Sequence, residues 1–241
     1  MQQKVSRIPT LSTTRHSLFN EFAGTVLDVG CGEATESIRL AMKGCKVYCV
    51  DNKKELLTKA RKNAAECKIE DKLEFILADA NQMSFTSTYF DVIMFKSSLH
   101  HVAKWKDVLS KAKEWLKTGG IIYLEEPLRT NPIASLAVRM YYSLAGPILN
   151  IHERPDPDKW PFDPRELLEE VEKHFVIEQV SYHGFISNLF NKATNYAKHP
   201  ALRNIFQGLS NATIGIDLTV QSNPRLRRYC SMIIIQGRKK N

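Results

Sequence analysis

The sequence predicts an α/β fold built on a doubly wound, mostly parallel sheet. Short apolar runs alternate with amphipathic segments of helix length through the first half of the 241-residue chain, which is typical of repeated β-α-β units with right-handed crossovers. These runs are apolar at nearly every position, as expected of strands that helices cover on both faces. The two observations together indicate a central sheet flanked by helices.

Three amphipathic segments predict helices, and seven apolar runs predict strands. The segment KKELLTKARKNAAECK places Leu56, Leu57, Ala60 and Ala64 on one face beneath an exposed lysine-rich face, so it predicts an amphipathic helix. Two further helices are predicted at ATESIRLAMKG and PRELLEEVEKHF. We expect seven strands, at TVLDVG (25–30), KVYCVD (46–51), LEFILAD (73–79), FDVIMFK (90–96), GGIIYLEE (119–126), VIEQVSYHGF (176–185) and within RRYCSMIIIQGRKK (227–240).

Two passages interrupt this rhythm, and we expect them to be insertions in a single domain of residues 1–241 with a cofactor-binding core at about 18–126. The first, at about 127–162, joins an apolar helix candidate to a proline-rich stretch. The second, at about 186–224, looks irregular. We predict that both contribute helical segments of a substrate lid. The apolar stripe Leu136, Met140, Tyr141, Leu144 and Ile148 fits either core packing or the wall of an apolar substrate site.

The composition is that of an ordinary globular protein, with 43% hydrophobic and 25% charged residues. No apolar run approaches the ~20 residues of a membrane-spanning helix, and the N-terminus lacks the apolar core of a signal peptide. We therefore expect a soluble cytoplasmic protein. The five cysteines include no C-x-x-C pair, so neither a disulfide framework nor a metal site is indicated. The formal net charge of +8 is spread widely and fits a solvated basic surface.

The stretch TVLDVGCGEATES indicates a nucleotide-type turn. Gly30 and Gly32 follow the first predicted strand, where a ligand in an open α/β sheet usually binds. Glycine allows a tight turn and close approach of the backbone, and the next helix offers unpaired N–H groups. Asp51 ends the second strand, where its carboxylate can accept hydrogen bonds from both hydroxyls of a ribose. Taken singly, each residue also fits a structural role in a turn or a helix cap.

Two features of the turn distinguish between nucleoside-containing cofactors. A dinucleotide site favours a third glycine at position 35, where this chain has Thr35. Asp28 would also place a negative charge near a pyrophosphate, whereas it suits a cofactor that carries a sulfonium and an amino group. The sign of this charge favours S-adenosylmethionine.

The segments VLDVGCGEAT, VYCVD and LADANQMSF resemble the first three signature segments of class I S-adenosylmethionine-dependent methyltransferases, of the type that includes quinone-biosynthesis methyltransferases. The resemblance covers about residues 18–126 and the final strand, and it implies a Rossmann-like seven-stranded sheet whose last strand is antiparallel. FDVIMFKSSLHHV is similar to the fourth strand and the loop that closes over the cofactor. Ala34 departs from the pattern, because many members have a third glycine there. The expected cofactor-binding residues are Asp28, Gly30 and Gly32 at the methionine part, Asp51 at the ribose, Asp79 and Ala80 beside the adenine, and additionally Asn52 and Lys96.

Methyl transfer from a sulfonium is an in-line substitution, so alignment of the two reactants supplies much of the catalysis. An acceptor that must lose a proton also needs a general base, and we expect His100 first and His152 second in that role. His101 follows His100 at the same strand end. Glu125 and Glu126 are candidates for ordering the lid or the substrate, with one of them expected to face solvent. For each histidine, a packing or surface role is the alternative.

We therefore predict an enzyme that methylates a small molecule, with an apolar, lipid-like or quinone-like acceptor among the candidates and S-adenosylhomocysteine as the product. Peripheral membrane contact is compatible with the basic charge. Methylation of RNA or protein is an alternative, although the chain lacks a strong basic stripe and an N/D-P-P-aromatic motif. A non-catalytic module that binds the cofactor and a nicotinamide-dependent oxidoreductase are two others. No metal site is expected.

Overall fold

A computed structural model of the chain describes residues 20, 22–129, 131, 136, 162–187, 190, 194 and 199–240. Within these residues, seven strands form one sheet in the order β3-β2-β1-β4-β5-β7-β6. The strands are β1 Thr25–Val29, β2 Lys46–Asp51, β3 Leu73–Leu77, β4 Phe90–Lys96, β5 Leu116–Pro127, β6 Phe175–His183 and β7 Met232–Lys239. The predicted fold class is confirmed, including the antiparallel last strand.

Five helices are described: α1 Thr35–Met42, α2 Lys54–Glu66, α3 Trp105–Trp115, α4 Pro164–His174 and α5 Pro200–Ser222. Helix α2 buries Leu57, Ala60 and Ala64, as the apolar spacing predicted, whereas Leu56 is only half-buried. The predicted amphipathic pattern therefore identifies the packed face of this helix correctly.

The order of the strands places a switch point next to β1. Strand β1 pairs in parallel with β2 on one side and with β4 on the other, and β2–β3 and β4–β5 are parallel as well. The chain therefore builds outward from β1 to β3 and then crosses to begin the other half at β4. The carboxyl ends of β1, β2 and β4 consequently meet at one edge, which is where open α/β sheets bind ligands.

The centre of the sheet is buried on both faces. In β1, residues 26–29 are buried, and in β4 the same holds for residues 92–95. The continuous apolar runs therefore correspond to strands inside the layered core, as predicted. Edge-to-face contacts between aromatic rings, with centroids 5.1 Å and 5.3 Å apart, join Phe85 to Phe90 and to Trp115.

The chain divides into two compact units. The sheet unit comprises residues 17–127, 164–180 and 234–241, and the second unit comprises 1–16, 128–163 and 181–233. In the second unit, the carboxylate of Asp217 accepts the N–H groups of Ile186 and Ser187 and the hydroxyl of Ser187. The single domain, the bounds of the insertions and their role as a lid stay predictions. The apolar stripe of the first insertion lies almost entirely outside the described residues.

The second insertion contains one long helix, although the sequence of this passage looks irregular. Helix α5 spans 23 residues of this passage, with Pro200 in its first turn and the His199 side chain accepting the N–H of Ala201 at 3.3 Å. Glycine at 208 and 215 and several β-branched residues lower the helix propensity of this stretch, which is why it looked irregular.

Candidate cofactor and active site

Glycine occupies two positions of the turn after β1, and the structural reason differs between them. Both have a positive φ, +75° at Gly30 and +56° at Gly32. A Cβ atom at Gly30 would lie 2.4 Å from the Cβ of Ser98, so only a residue without a side chain can pack here against the loop after β4. A Cβ at Gly32 would have no atom within 4 Å. Only Gly32 therefore leaves open space beside the backbone for a ligand.

Asp51 connects the ends of β1 and β2. Its Oδ2 accepts the N–H of Gly32 at 2.9 Å, and its Oδ1 accepts the N–H of Lys53 at the same distance. Because a carboxylate has about four acceptor positions, each oxygen can still accept a second hydrogen bond. The carboxylate is mostly buried and is held in one orientation, at the strand end where the ribose of a nucleoside cofactor was expected.

Asp28 lies beneath the turn and is almost fully buried. The hydroxyl of Ser37 donates to its Oδ2. Burial is the main cause that raises the pKa of Asp28 to about 7; the Ser37 hydrogen bond and Lys96 oppose this rise, whereas Glu36 and Asp51 add to it. A ligand with a positive charge near Asp28 would favour the ionised carboxylate. The environment therefore fits a cationic group better than a phosphate.

Lys96 forms an ion pair with the buried carboxylate of Glu36. Its Nζ lies 2.5 Å from Oε1 of Glu36, and Arg39 donates to Oε2 of the same carboxylate at 3.1 Å. Glu36 is buried in the first turn of α1, a position that suits an acidic side chain, and Lys96 is 28% exposed on its side-chain surface. Sequence reasoning missed Glu36, although its place eight residues after Asp28 in the same motif was a signal that could have found it.

The carboxylate of Asp79 forms its hydrogen bonds within the loop that follows β3. Oδ1 of Asp79 accepts the backbone N–H of Asn81 at 2.8 Å and its side-chain amide at 2.7 Å. Asp79 is exposed and Ala80 is half-buried, while Asn52 is exposed at the end of β2. The structure thus brings Gly32 and Asp51 into direct contact and leaves Asp79 hydrogen-bonded within its own loop.

Glu126 organises the loop after β4. Its Oε1 accepts the N–H groups of Ser98 and Leu99 at 3.0 Å and 2.9 Å, and its Oε2 lies 2.6 Å from Nδ1 of His100. The hydroxyl of Ser98 donates to the carbonyl oxygen of Val29 at the end of β1. The loop that carries His100 is therefore fastened to β5 on one side and to the cofactor turn on the other.

The expectation that one of the twin acids faces solvent is wrong. Glu125 is 2% exposed and Glu126 is fully buried. Residues 120–126 of their strand, β5, are all buried, so the side chains on both faces of the strand are covered there. Glu125 accepts the hydroxyl of Tyr123 at 2.9 Å, a second buried polar contact that compensates the burial of a carboxylate.

The histidine candidates have different outcomes. His152 lies outside the described residues. His100 lies in the loop held by Glu126, with 12% of its side chain exposed, and its ring lies against that of His101, with centroids 3.9 Å apart and ring planes inclined by 43°. Within the described ranges, no helix is long and apolar enough to span a membrane, and no group of three metal-ligating side chains converges. The five cysteines are free thiols.

Comparison with known proteins identifies the family of the chain. A family model described as a methyltransferase domain matches residues 21–171, more than half of the chain. The chain belongs to the class I S-adenosylmethionine-dependent methyltransferases. The family resemblance is confirmed, and so is S-adenosylmethionine as the cofactor that was inferred from the turn.

Similarity to individual methyltransferases is more distant. The ubiquinone/menaquinone biosynthesis C-methyltransferase UbiE of Cereibacter sphaeroides is 26% identical over 151 residues, which cover 61% of this chain and 59% of the relative. The sterol 24-C-methyltransferase of Saccharomyces cerevisiae is 30% identical over 107 residues, which cover 44% of this chain and 28% of that protein. The chain thus spans less than two thirds of the length of these relatives.

The chain is similar to geranyl diphosphate C-methyltransferase from Streptomyces coelicolor A3(2), with a TM-score of 0.60 and 15% sequence identity. That structure was solved with Mg²⁺, geranyl diphosphate and S-adenosyl-L-homocysteine. The match covers 95% of this chain and 81% of that chain. At this identity the likeness establishes the fold.

Proposed function

We propose that this methyltransferase transfers the methyl group of S-adenosylmethionine to a small, apolar acceptor of the lipid or quinone type. The observation that carries the methyl-transfer part of the proposal is the hydrogen bond between Gly32 and the fixed carboxylate of Asp51, beside open space at the switch point of the sheet. When bound, the cofactor supplies an electrophilic methyl group on a sulfonium sulfur.

The cofactor assignments follow the strand ends. We assign the ribose hydroxyls to Asp51, whose two oxygens each retain acceptor capacity. We assign the cationic methionine part to the region of Asp28, Gly30 and Gly32, because the buried carboxyl of Asp28 is stabilised in its ionised form by a positive charge. The remaining assignments are the adenine to Asp79 and Ala80, with Asn52 beside the ribose and Lys96 beside the methionine part.

The polarity of the acceptor is inferred from the relatives. The names of two of them refer to ubiquinone or menaquinone and to sterols, which are apolar molecules. In the second unit, α5 exposes Leu202, Ile205, Leu209 and Ile216 at helical spacing, and three exposed arginines follow at residues 225, 227 and 228. This combination supports peripheral contact with an anionic lipid surface, which would give access to a lipid-like acceptor.

Methyl-labelled cofactor tests the acceptor class. The protein would be incubated with S-adenosylmethionine labelled in its methyl group and with a prenylated benzohydroquinone, a sterol with an unsaturated side chain, bulk RNA or unrelated protein. We expect label in the organic extract of a small-molecule reaction. Label that appears only in the RNA or protein fraction would contradict the proposal and favour the macromolecular alternative.

A further inference from the structure

We propose that Glu126 and His100 form a dyad in which His100 is the general base and Glu126 is its positioning residue, so that the acceptor carries an acidic hydroxyl such as that of a phenol, hydroquinone or enol. This inference rests on the proposed function and narrows its acceptor class. An isolated alkene has no acidic proton to lose before the attack, so a base would act on it only afterwards, by removing a proton from the carbocation.

The carboxylate of Glu126 determines how the imidazole is presented. It is fully buried, and its Oε1 is already occupied by the N–H groups of Ser98 and Leu99. Its Oε2 is 2.6 Å from Nδ1 of His100. A buried carboxylate with only acceptor capacity requires a donor at this position, so Nδ1 carries the hydrogen and Nε2 carries the lone pair in the neutral ring.

His100 lies at the correct end of the sheet for this role. Ser98, two residues earlier, donates its hydroxyl to the carbonyl oxygen of Val29 and packs directly against the backbone of Gly30. The dyad is thus joined to the turn assigned to the methionine part of the cofactor. Within the described part of the chain, Nε2 of His100 has no hydrogen-bond partner, and the ring is partly exposed.

This arrangement allows a balanced proton transfer. The hydroxyl proton of the acceptor moves to Nε2 of His100, and the electron pair of the O–H bond stays on the acceptor. That pair forms the new bond to the methyl carbon as the carbon–sulfur bond breaks, with its electrons remaining on sulfur. Glu126 stabilises the imidazolium, which then releases its proton to water. Delocalisation of the oxyanion onto a ring carbon gives a C-methylated product once that carbon loses its own proton to water.

Glu126→Gln tests the dyad with minimal change in shape. The amide oxygen can keep the bonds to Ser98 and Leu99, which turns the amide NH₂ towards His100. Nδ1 must then accept a hydrogen bond, and the neutral ring changes to the tautomer with hydrogen on Nε2. Glu125→Gln is the matched control, because it removes a neighbouring buried carboxylate that forms no hydrogen bond with His100.

Nitrogen-15 NMR of histidine-labelled protein reads the tautomer without any acceptor. His100→Gln identifies the His100 signals, and spectra are recorded at a pH at which the imidazole is neutral. We expect the Nδ1–H tautomer in wild type and Glu125→Gln and the Nε2–H tautomer in Glu126→Gln. A wild-type ring protonated on Nε2, or no change in Glu126→Gln, would overturn the dyad.

Kinetics with the prenylated hydroquinone complete the test. We expect Glu126→Gln and His100→Gln each to lower kcat at least about 100-fold at neutral pH, the usual contribution of a general base. The double variant should be no slower than the slower single variant, since the two residues act as one unit. In His100→Gln the rate should rise with pH, because hydroxide replaces the base.

Binding of S-adenosylhomocysteine separates failure of the dyad from failure of the proposed function. We expect the affinity of both single variants to stay within about threefold of wild type, since neither side chain is assigned to the cofactor. Normal binding and normal turnover in Glu126→Gln would overturn the dyad alone. A wild-type protein that binds no S-adenosyl cofactor would overturn the proposed function, while the NMR experiment would still decide the tautomer.

Discussion

Oδ2 of Asp51 accepts the backbone N–H of Gly32 at 2.9 Å, which fixes the end of β2 against the cofactor turn after β1. A carboxylate held in this way can receive two ribose hydroxyls without first being ordered, so part of the entropic cost of binding is met in the folded protein. The same contact explains why a glycine turn and an acid 19 residues later act as one site.

Replacing Asp51 by alanine should weaken the binding of S-adenosylmethionine by about 1.5–3 kcal/mol, the range of hydrogen bonds to charged groups. Calorimetry would measure the change. Glu55→Gln removes an exposed carboxylate from the first turn of α2 and serves as the control, with unchanged affinity expected. If Asp51→Ala bound as tightly as wild type, the ribose would have to be held elsewhere.

Asp28→Asn should stabilise the free protein at neutral and alkaline pH. Burial raises the pKa of Asp28 from 3.8 to about 7, so the folded state favours the neutral carboxyl. The contribution of Asp28 to the free energy of unfolding is greatest below about pH 4 and is lost as the pH rises through 7. The facing charges are Glu36, Asp51 and Lys96, and all of them are unchanged in the variant.

Denaturant unfolding at several pH values would measure this effect. The free energy of unfolding of Asp28→Asn should match that of wild type near pH 4 and exceed it by on the order of 2–4 kcal/mol at pH 8. The variant should also bind S-adenosylmethionine more weakly, because the cationic cofactor loses its carboxylate. Equal stability of the two proteins across the whole range would show that Asp28 is readily ionised in the free protein.

The two glycines of the turn should respond differently to a methyl group. Gly30→Ala places a Cβ 2.4 Å from the Cβ of Ser98 at positive φ, so it should lower the free energy of unfolding by at least about 2 kcal/mol. Gly32→Ala has only the backbone cost of about 1 kcal/mol. It should nevertheless weaken cofactor binding at least about tenfold, since its methyl enters the open space assigned to the ligand. Unfolding and calorimetry on both variants check the contrast, and wild-type affinity in Gly32→Ala would contradict it.

Ala34 adopts a left-handed conformation, with φ 59° and ψ 29°, at the N-terminus of α1. An L-residue in this conformation costs about 1–2 kcal/mol relative to glycine. In Ala34→Gly the relief of this strain offsets the loss of a buried methyl group. Ala34→Gly should therefore change the free energy of unfolding by less than about 0.5 kcal/mol, whereas Ala41→Gly, at an equally buried site inside the helix, should lower it by about 1–2 kcal/mol. Similar losses in the two variants would show that the strain at Ala34 is negligible.

The sequence predicted the sheet and the cofactor turn because both depend on local patterns. Apolar runs and the short motif around Gly30 and Gly32 are readable from neighbouring residues. The role of Glu126 was not readable, since its contacts reach residues 26–28 positions away in the chain. The length and bounds of helix α5 were not readable for a different reason, because its buried positions include the polar residues Ser210 and Asp217.

Titration calorimetry of the wild-type protein with S-adenosylmethionine, S-adenosylhomocysteine or NADH distinguishes a methyltransferase cofactor site from a dinucleotide site. The arrangement of Asp28, Gly32 and Asp51 predicts that both S-adenosyl compounds bind and that NADH does not bind comparably. Tight binding of NADH, with no binding of either S-adenosyl compound, would show that these residues do not form an S-adenosylmethionine site.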